Sequence, residues 1–135
     1  MKWLHWFIAG ALAVPLCHHV VLALLNALRL TTYRPYSFER TKPFGVPQVV
    51  SLSFWGGVWG LILGVVLLRV QTPWMWWTIA IVFGAIATTL VAGVVAPLKG
   101  QRVKPSPKLF LVGLLVNGAW AAGTAVFYRL MERWR

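Results

Sequence analysis

The chain has 135 residues, of which 59% are hydrophobic and only 11% are charged. A soluble domain usually carries about 25% charged residues, so the composition excludes an ordinary soluble fold and indicates one domain embedded in a membrane. The net charge of +11 would suggest nucleic acid in a soluble protein. Here the basic residues stand at the ends of apolar runs, where they indicate membrane flanks and contact with anionic lipids.

Four apolar runs follow one another along the chain and predict helices at about 3–29, 49–70, 74–97 and 109–130. Each run is long enough to cross a hydrocarbon core of about 30 Å. Pro15 lies inside the first run and predicts a bend there, because proline removes one helix hydrogen bond. The sequence therefore predicts an all-α integral membrane protein, a four-transmembrane-helix bundle that forms a single membrane domain.

Residues 3–9 and 74–80 share two tryptophans and an Ile-Ala pair at one offset. A Lys-Pro pair also precedes both the second and the fourth helix, at residues 42–43 and 104–105. These matches favour a duplicated helical hairpin, in which two parallel repeats are related by an axis along the membrane normal. Chance similarity within a composition rich in Trp, Gly and Ala is the alternative.

The second apolar run contains three glycines at a spacing of four, which places them on one face of a helix. Small residues let helix backbones approach closely in lipid, so we predict that the other helices pack against this one. Two tryptophans with the same spacing frame the glycines, and the fourth helix carries a further pair of small residues. The predicted packing residues are Gly56, Gly60, Gly64, Trp55, Trp59, Gly118 and Ala122.

Two consecutive histidines lie near the middle of the first run, and ionisable residues inside a membrane indicate function by default. One interpretation is structural: each neutral imidazole hydrogen-bonds to Asn117, Thr88 or Thr89 on a neighbouring helix. A second is a polar pocket for an anionic ligand such as a lipid headgroup. Its candidate residues are His18, His19, Asn26, Ser53, Thr88, Thr89 and Asn117.

A third interpretation is ligation of haem or chlorophyll by His5, His18 or His19. His5 and His19 are 14 residues apart and fall within about 40° of each other on a regular helix. The chain has no other histidine, so a homodimer or a partner would have to supply any second ligand. A metal site is not expected, because the consecutive residues Cys17, His18 and His19 diverge on a helix.

Enzyme chemistry is also not expected, since the chain has only two acidic residues and neither lies within the apolar core of a span. The leading prediction is a non-catalytic accessory or assembly subunit of a larger membrane complex. The alternatives are a small homo-oligomeric channel or carrier for an anion or lipid, and a haem or pigment binder. Expected partners are membrane lipids, including anionic lipids, and other membrane subunits or further copies of the chain, without nucleic acid.

More lysines and arginines flank the connections 31–48 and 98–108 than the termini. The positive-inside rule therefore places these connections in the cytoplasm and the termini outside, in a bacterial inner membrane. The cations predicted to contact lipid headgroups are Arg34, Arg40, Lys42, Lys99, Arg102 and Lys104.

Overall fold

The computed structural model describes residues 1–98 and 104–134, apart from the side chains of residues 96–98. Most of the chain is helical, and a short two-stranded hairpin lies in the first long connection. In chain order the elements are α1 (Lys2–Ala13), a π-helical segment (Val14–His18), α2 (His19–Ala27), β1 (Arg40–Thr41), β2 (Val46–Pro47), α3 (Gln48–Leu67), α4 (Pro73–Leu98) and α5 (Pro107–Arg133).

Within the described residues, four helical stretches are long and apolar enough to cross a membrane, judged by length and composition. The first joins α1, the π-helical segment and α2 into one continuous stretch, and the other three are formed by α3, α4 and α5. The four helices predicted from the sequence are thereby confirmed as helices, with ends shifted by up to three residues. The stretches are Lys2–Ala27, Gln48–Leu67, Pro73–Val95 and Pro107–Arg133.

The central helices of the bundle are α1 and α5. Helix α1 packs against α3 on one side and against α5 on another, whereas α5 also contacts α4, the π-helical segment and α2. Helices α3 and α4 are consecutive in the chain, yet they contact each other only slightly. The prediction that the other helices pack against the second one is therefore wrong, because α3 packs mainly against α1. Fully buried alanines such as Ala9, Ala13 and Ala121 let the two central helices approach their neighbours.

The core runs along the whole bundle in three clusters of buried side chains. The cluster nearest the termini contains large rings, the middle one combines small residues with one tryptophan, and the third lies towards the long connections. They comprise Trp6, Leu63, Leu67, Trp76, Ala80 and Ala125; Ala13, Val14, Trp120 and Ala121; and Leu22, Leu25, Val112 and Val116.

Capping motifs close two helix ends at the side of the long connections. At the end of α2, the Arg29 N–H donates to the Asn26 carbonyl and the Leu30 N–H to the Leu25 carbonyl, each at 2.9 Å. This pair of bonds is a Schellman motif, with Arg29 in the left-handed region at φ 58°. At the start of α5, the Ser106 hydroxyl accepts from the Leu109 N–H at 3.1 Å, as an N-cap residue does.

Candidate functional site

The backbones of α1 and α3 touch where glycines face each other. A Cβ on Gly60 would overlap the Trp6 carbonyl oxygen, and a Cβ on Gly10 would overlap the Gly56 carbonyl oxygen. A Cβ on Gly56 would lie 2.7 Å from the Gly10 carbonyl oxygen and 2.5 Å from a methyl carbon of Val14. Gly10 is not among the residues predicted from the sequence, although its small neighbours Ala9 and Ala13 could have identified this face.

The two tryptophans beside the glycines on α3 differ in their surroundings. Trp59 is half-buried and its ring lies 6.5 Å from that of Phe83 on α4, measured between centroids. Trp55 is 51% exposed and contacts Phe54, its neighbour on the same helix. Gly64 lies beneath Trp6, since a Cβ there would come within 2.7 Å of the indole ring. Of the two tryptophans, Trp59 therefore takes part in the bundle, whereas Trp55 lies on its outer surface.

The close contacts of α5 lie beside the positions predicted for it. A Cβ on Gly118 would meet only Ala85, at an ordinary distance of 3.6 Å, and Ala122 is half-buried. The closest approaches occur at Ala121, which lies against Gly84 of α4, and at Gly123, which lies against Cys17. Helix α5 therefore makes its closest contacts with other helices at Ala121 and Gly123, the two neighbours of Ala122 in the sequence.

Trp120 links α5 to the glycine contact between α1 and α3. Its indole N–H donates to the Gly10 carbonyl oxygen at 2.9 Å, and the side chain is only 3% exposed. A buried indole usually needs such a partner. Because the acceptor is part of the α1–α3 contact, Trp120 joins three helices at one level of the bundle.

The π-helical segment exposes a backbone carbonyl at Pro15. The His19 N–H donates to the Val14 carbonyl, five residues back, whereas a regular α-helix would direct it to Pro15, four residues back. The Pro15 carbonyl is instead the acceptor of the Tyr36 hydroxyl at 2.7 Å. Tyr36 itself lies in the left-handed region at φ 54°. At Pro15, where the sequence predicts a bend, the structure has a π turn, a feature that often accompanies functional sites.

Replacing Tyr36 by phenylalanine should test how strongly this contact holds the first connection. The change removes the hydroxyl donor and keeps the ring, so we expect a loss of about 1 kcal/mol in the free energy of unfolding. Limited proteolysis of the connection should also become faster. Tyr33→Phe is the matched control, because no hydrogen bond involves the Tyr33 hydroxyl among the described residues. Equal effects of the two changes would contradict the role given to Tyr36.

The two histidines lie next to this contact. His19 is 2% exposed, and its ring meets those of Tyr36 and His18 edge to face, with centroids 5.0 and 5.4 Å apart. The Nδ1 atoms of both histidines are buried and have no hydrogen-bond partner within the described part of the chain. The pair and Tyr36 thus form an aromatic cluster with two unpartnered ring nitrogens.

The partners predicted for these histidines are bound elsewhere. The Asn117 side-chain amide donates to the Thr89 hydroxyl at 2.9 Å, across the contact between α5 and α4. The Thr88 hydroxyl donates to the Gly84 carbonyl one turn back in α4. The interpretation of the histidines as bonded to Asn117, Thr88 or Thr89 is therefore wrong. Short hydroxyl and amide side chains commonly bond the nearest backbone or side-chain group.

The predicted polar pocket is likewise divided among separate places. The Asn26 amide donates to the carbonyls of Thr31 at 3.2 Å and Tyr33 at 2.9 Å, which holds the first connection against the end of α2. Ser53 is half-buried in α3. The Thr89–Asn117 bond joins α5 to α4 and involves no residue of the first span. The structure therefore does not bring the seven predicted residues into one cleft.

His5 is paired at the end of the bundle that carries the termini. Its Nδ1 atom lies 2.8 Å from a carboxylate oxygen of Glu132, so one ring nitrogen is already engaged. The π turn also changes the rotation between His5 and His19, so the uniform helix that placed both on one face does not hold. Trp6 stacks on Tyr128 beside this pair, with centroids 3.7 Å apart.

The cations predicted to contact lipid headgroups are exposed wherever they are described. Arg34, Arg40 and Lys42 lie in the first connection, whereas Lys104 precedes α5 and lines a surface cavity. Lys99 and Arg102 fall outside the described residues. The cations of the first connection therefore lie at the surface, as contact with headgroups requires.

Helix α4 is the least enclosed span. Only 11% of its most apolar stretch is buried, against 28–39% for the other three. One face is exposed along its length; we call it the α4 outer face and define it by Val82, Ile86, Leu90 and Gly93. Among the described residues, no neighbouring group lies within 4 Å of the position that a Cβ on Gly93 would occupy. No protein-family model, curated protein or solved structure matches this chain.

Proposed function

We propose that the chain is an integral membrane protein and a non-catalytic accessory or assembly subunit of a larger respiratory, photosynthetic or transport complex. The observation that carries the proposal is the α4 outer face, which remains exposed in the isolated chain although the opposite face of α4 packs against α5. Gly93 lies on that face, and a glycine costs about 1 kcal/mol relative to alanine in an exposed helix. Close approach of a helix from another subunit would use the space that this glycine leaves.

The interior of the bundle also supports packing over transport or catalysis. The middle of the bundle is filled by Trp120 and by the contact between Gly10 and the glycines of α3. Two surface cavities lie at opposite ends of the bundle. Glu39 lies in the first connection and Glu132 in the last turn of α5, so the central side chains of the bundle include no carboxylate that could act as a general acid or base.

The membrane and the orientation follow from charge. We place the protein in a bacterial inner membrane with the connections 31–48 and 98–108 in the cytoplasm, because more cations flank that side. The closest helix pairs, α1 with α3 and α4 with α5, are the two halves of the proposed duplicated hairpin. In this arrangement the α4 outer face belongs to the second repeat.

Gly93→Leu tests the proposal directly. The tagged protein should co-purify with a membrane complex in fixed ratio from mild detergent, and Gly93→Leu should reduce that recovery by at least about tenfold. Overpacking a tight contact costs about 1–3 kcal/mol, and 1.4 kcal/mol is a factor of ten in binding. The unfolding midpoint of the isolated protein should not fall, since a Cβ at residue 93 would meet no neighbouring group of the described residues within 4 Å.

Val126→Leu is the matched control, because Val126 is 42% exposed on α5 and lies outside the α4 outer face. Recovery of the complex should be unchanged in this variant. If both variants retain the complex, the α4 outer face is not the interface. If the wild-type protein emerges alone, the accessory-subunit proposal fails.

The unpartnered nitrogens of His18 and His19 favour a second candidate, a small homo-oligomeric channel or carrier for an anion or lipid. The same purification distinguishes it, since the particle would then contain only copies of this chain. A Soret or chlorophyll band in its absorption spectrum would instead indicate a haem or pigment binder. Either result would indicate that the functional site is the cluster formed by the two histidines and Tyr36, and not the α4 outer face.

A further inference from the structure

A surface cavity of about 310 Å³ lies where the end of α2, the connection after it and the start of α5 meet. Three cationic side chains line it: Arg29, Lys104 and Lys108. We propose that this cavity, here called the basic cavity, binds the phosphate group of an anionic lipid. The inference is independent of the accessory-subunit proposal, because the basic cavity and the α4 outer face share no residue.

The charge of the basic cavity is not balanced by the chain. The sequence contains only two acidic side chains, and Glu132 is paired with His5 at the opposite end of the bundle. Glu39 is not among the residues that line the cavity. Three cations around one concave surface therefore favour an anion, and phosphate oxygens accept charge-assisted hydrogen bonds from arginine and lysine. The N-terminus of α5 adds a favourable dipole at the same place.

The other side of the basic cavity is apolar. Leu30, Leu109 and Val112 line it, and Val112 belongs to the buried cluster that continues into the bundle. A free phosphate ion makes no favourable contact with an apolar wall, whereas a phospholipid carries its phosphate next to its acyl chains. The combination of cationic rim and apolar wall therefore favours a phospholipid over a soluble anion.

The backbone at Arg29 supports the same assignment. The left-handed position after a helix is usually occupied by glycine, because other residues bring Cβ too close to the backbone. Arg29 occupies it at φ 58°. No described side chain pairs with its guanidinium, so the fold itself does not require an arginine here. Asn26 fixes the cavity wall by holding the carbonyls of Thr31 and Tyr33, which prepares the site in advance of binding.

Arg29→Gly separates binding from folding, since it installs the residue that the cap prefers and removes the cation. The purified full chain in neutral detergent would be titrated calorimetrically with short-chain phosphatidic acid, with phosphatidylcholine of the same chain length, and with inorganic phosphate. We expect phosphatidic acid to bind one to one and more tightly than phosphatidylcholine. Arg29→Gly should weaken the affinity for phosphatidic acid about fivefold, which is the usual contribution of one cation near a lipid surface. The double variant Arg29→Gly, Lys108→Gln should weaken it about twenty-fivefold.

Arg69→Gln is the matched control, because it removes one charge from an exposed arginine after the end of α3, at the opposite end of the bundle and outside the cavity lining. The affinity of this control for phosphatidic acid should equal that of the wild type. The unfolding midpoint of Arg29→Gly should equal or exceed that of the wild-type protein. If inorganic phosphate binds tightly and Arg29→Gly weakens that binding, the anion site is supported and its ligand is a free phosphate. Equal losses in Arg69→Gln and Arg29→Gly would indicate diffuse attraction and would overturn the proposal. Equal affinities for the two lipids would also overturn it, because binding would then not depend on the net charge of the lipid.

Discussion

Replacing Gly60 by alanine should destabilise the bundle by about 3 kcal/mol, the upper end of the usual cost of overpacking. The added methyl group would overlap the Trp6 carbonyl oxygen and approach the Gly10 Cα within 3.2 Å. Both neighbours belong to the backbone of α1, so no side-chain rotation can relieve the clash. Helices α1 and α3 would have to separate, although their contact is the most extensive in the bundle. Unfolding in mixed micelles with increasing denaturing detergent would measure the loss.

Gly93→Ala is the control for this experiment, because it makes the same chemical change at a glycine that packs against nothing. A Cβ at residue 93 meets no neighbouring group within 4 Å in the part of the chain that the structure describes, and alanine is a better helix former than glycine by about 1 kcal/mol. We therefore expect equal or higher stability for Gly93→Ala and a clear loss for Gly60→Ala. Similar losses in both variants would show that helix content, and not contact between α1 and α3, limits stability.

The sequence predicted the four helices well because each is a long apolar run between polar connections, and such runs have few alternatives in a membrane. Spacing on one face also identified Gly56 and Gly60 as candidates for close approach. It did not identify the central helices. Small residues occur on all four spans, and the periodicity of one helix does not state which neighbour its face meets. Gly10 and Ala121 acquire their roles only through the pairing of α1 with α3 and of α5 with α4.

The polar residues were harder to place for a different reason. Depth in the membrane was estimated from position in each run, which groups Asn117 with His18 and His19 at one level. Helix rotation then directs Asn117 towards Thr89 of α4. The contact of Tyr36 with Pro15 depends on a carbonyl exposed by the π turn, and only Pro15 hints at that turn in the sequence. Long-range contacts of this kind follow from tertiary packing and not from local pattern.

The basic cavity was missed because its cations were counted by region. Arg29 and Lys108 contribute to the positive flanks of the first and last spans, and in that role they are equivalent to any other lysine or arginine. The Schellman motif turns the chain at Arg29, and the cap at Ser106 starts α5 beside it. Two local capping motifs thus convert dispersed flank charges into one concave surface, which net charge alone does not reveal.

Replacing Trp120 by alanine should destabilise the protein by about 3–5 kcal/mol, as truncation of a buried tryptophan usually does. The indole contacts three neighbouring helices. Its N–H donates to Gly10 of α1, its nitrogen lies 3.2 Å from the place of a Cβ on Gly56 of α3, and its ring lies 3.4 Å from that on Gly84 of α4. Removal would leave a void at the level where α1, α3, α4 and α5 meet, and dense packing does not refill such voids fully.

Two further tryptophan variants divide this effect into its parts. Trp120→Phe keeps most of the ring and removes the N–H donor. The lost hydrogen bond to the Gly10 carbonyl should account for about 1 kcal/mol of the decrease in the free energy of unfolding of this variant. Trp55→Ala removes an indole of the same size from the outer surface, where the side chain is 51% exposed, and should cost less than about 0.5 kcal/mol in detergent. Equal losses for Trp55→Ala and Trp120→Ala would contradict the central position of Trp120. A loss for Trp120→Phe as large as that for Trp120→Ala would instead make the hydrogen bond to α1, and not the filled volume, the main stabilising contribution of this residue.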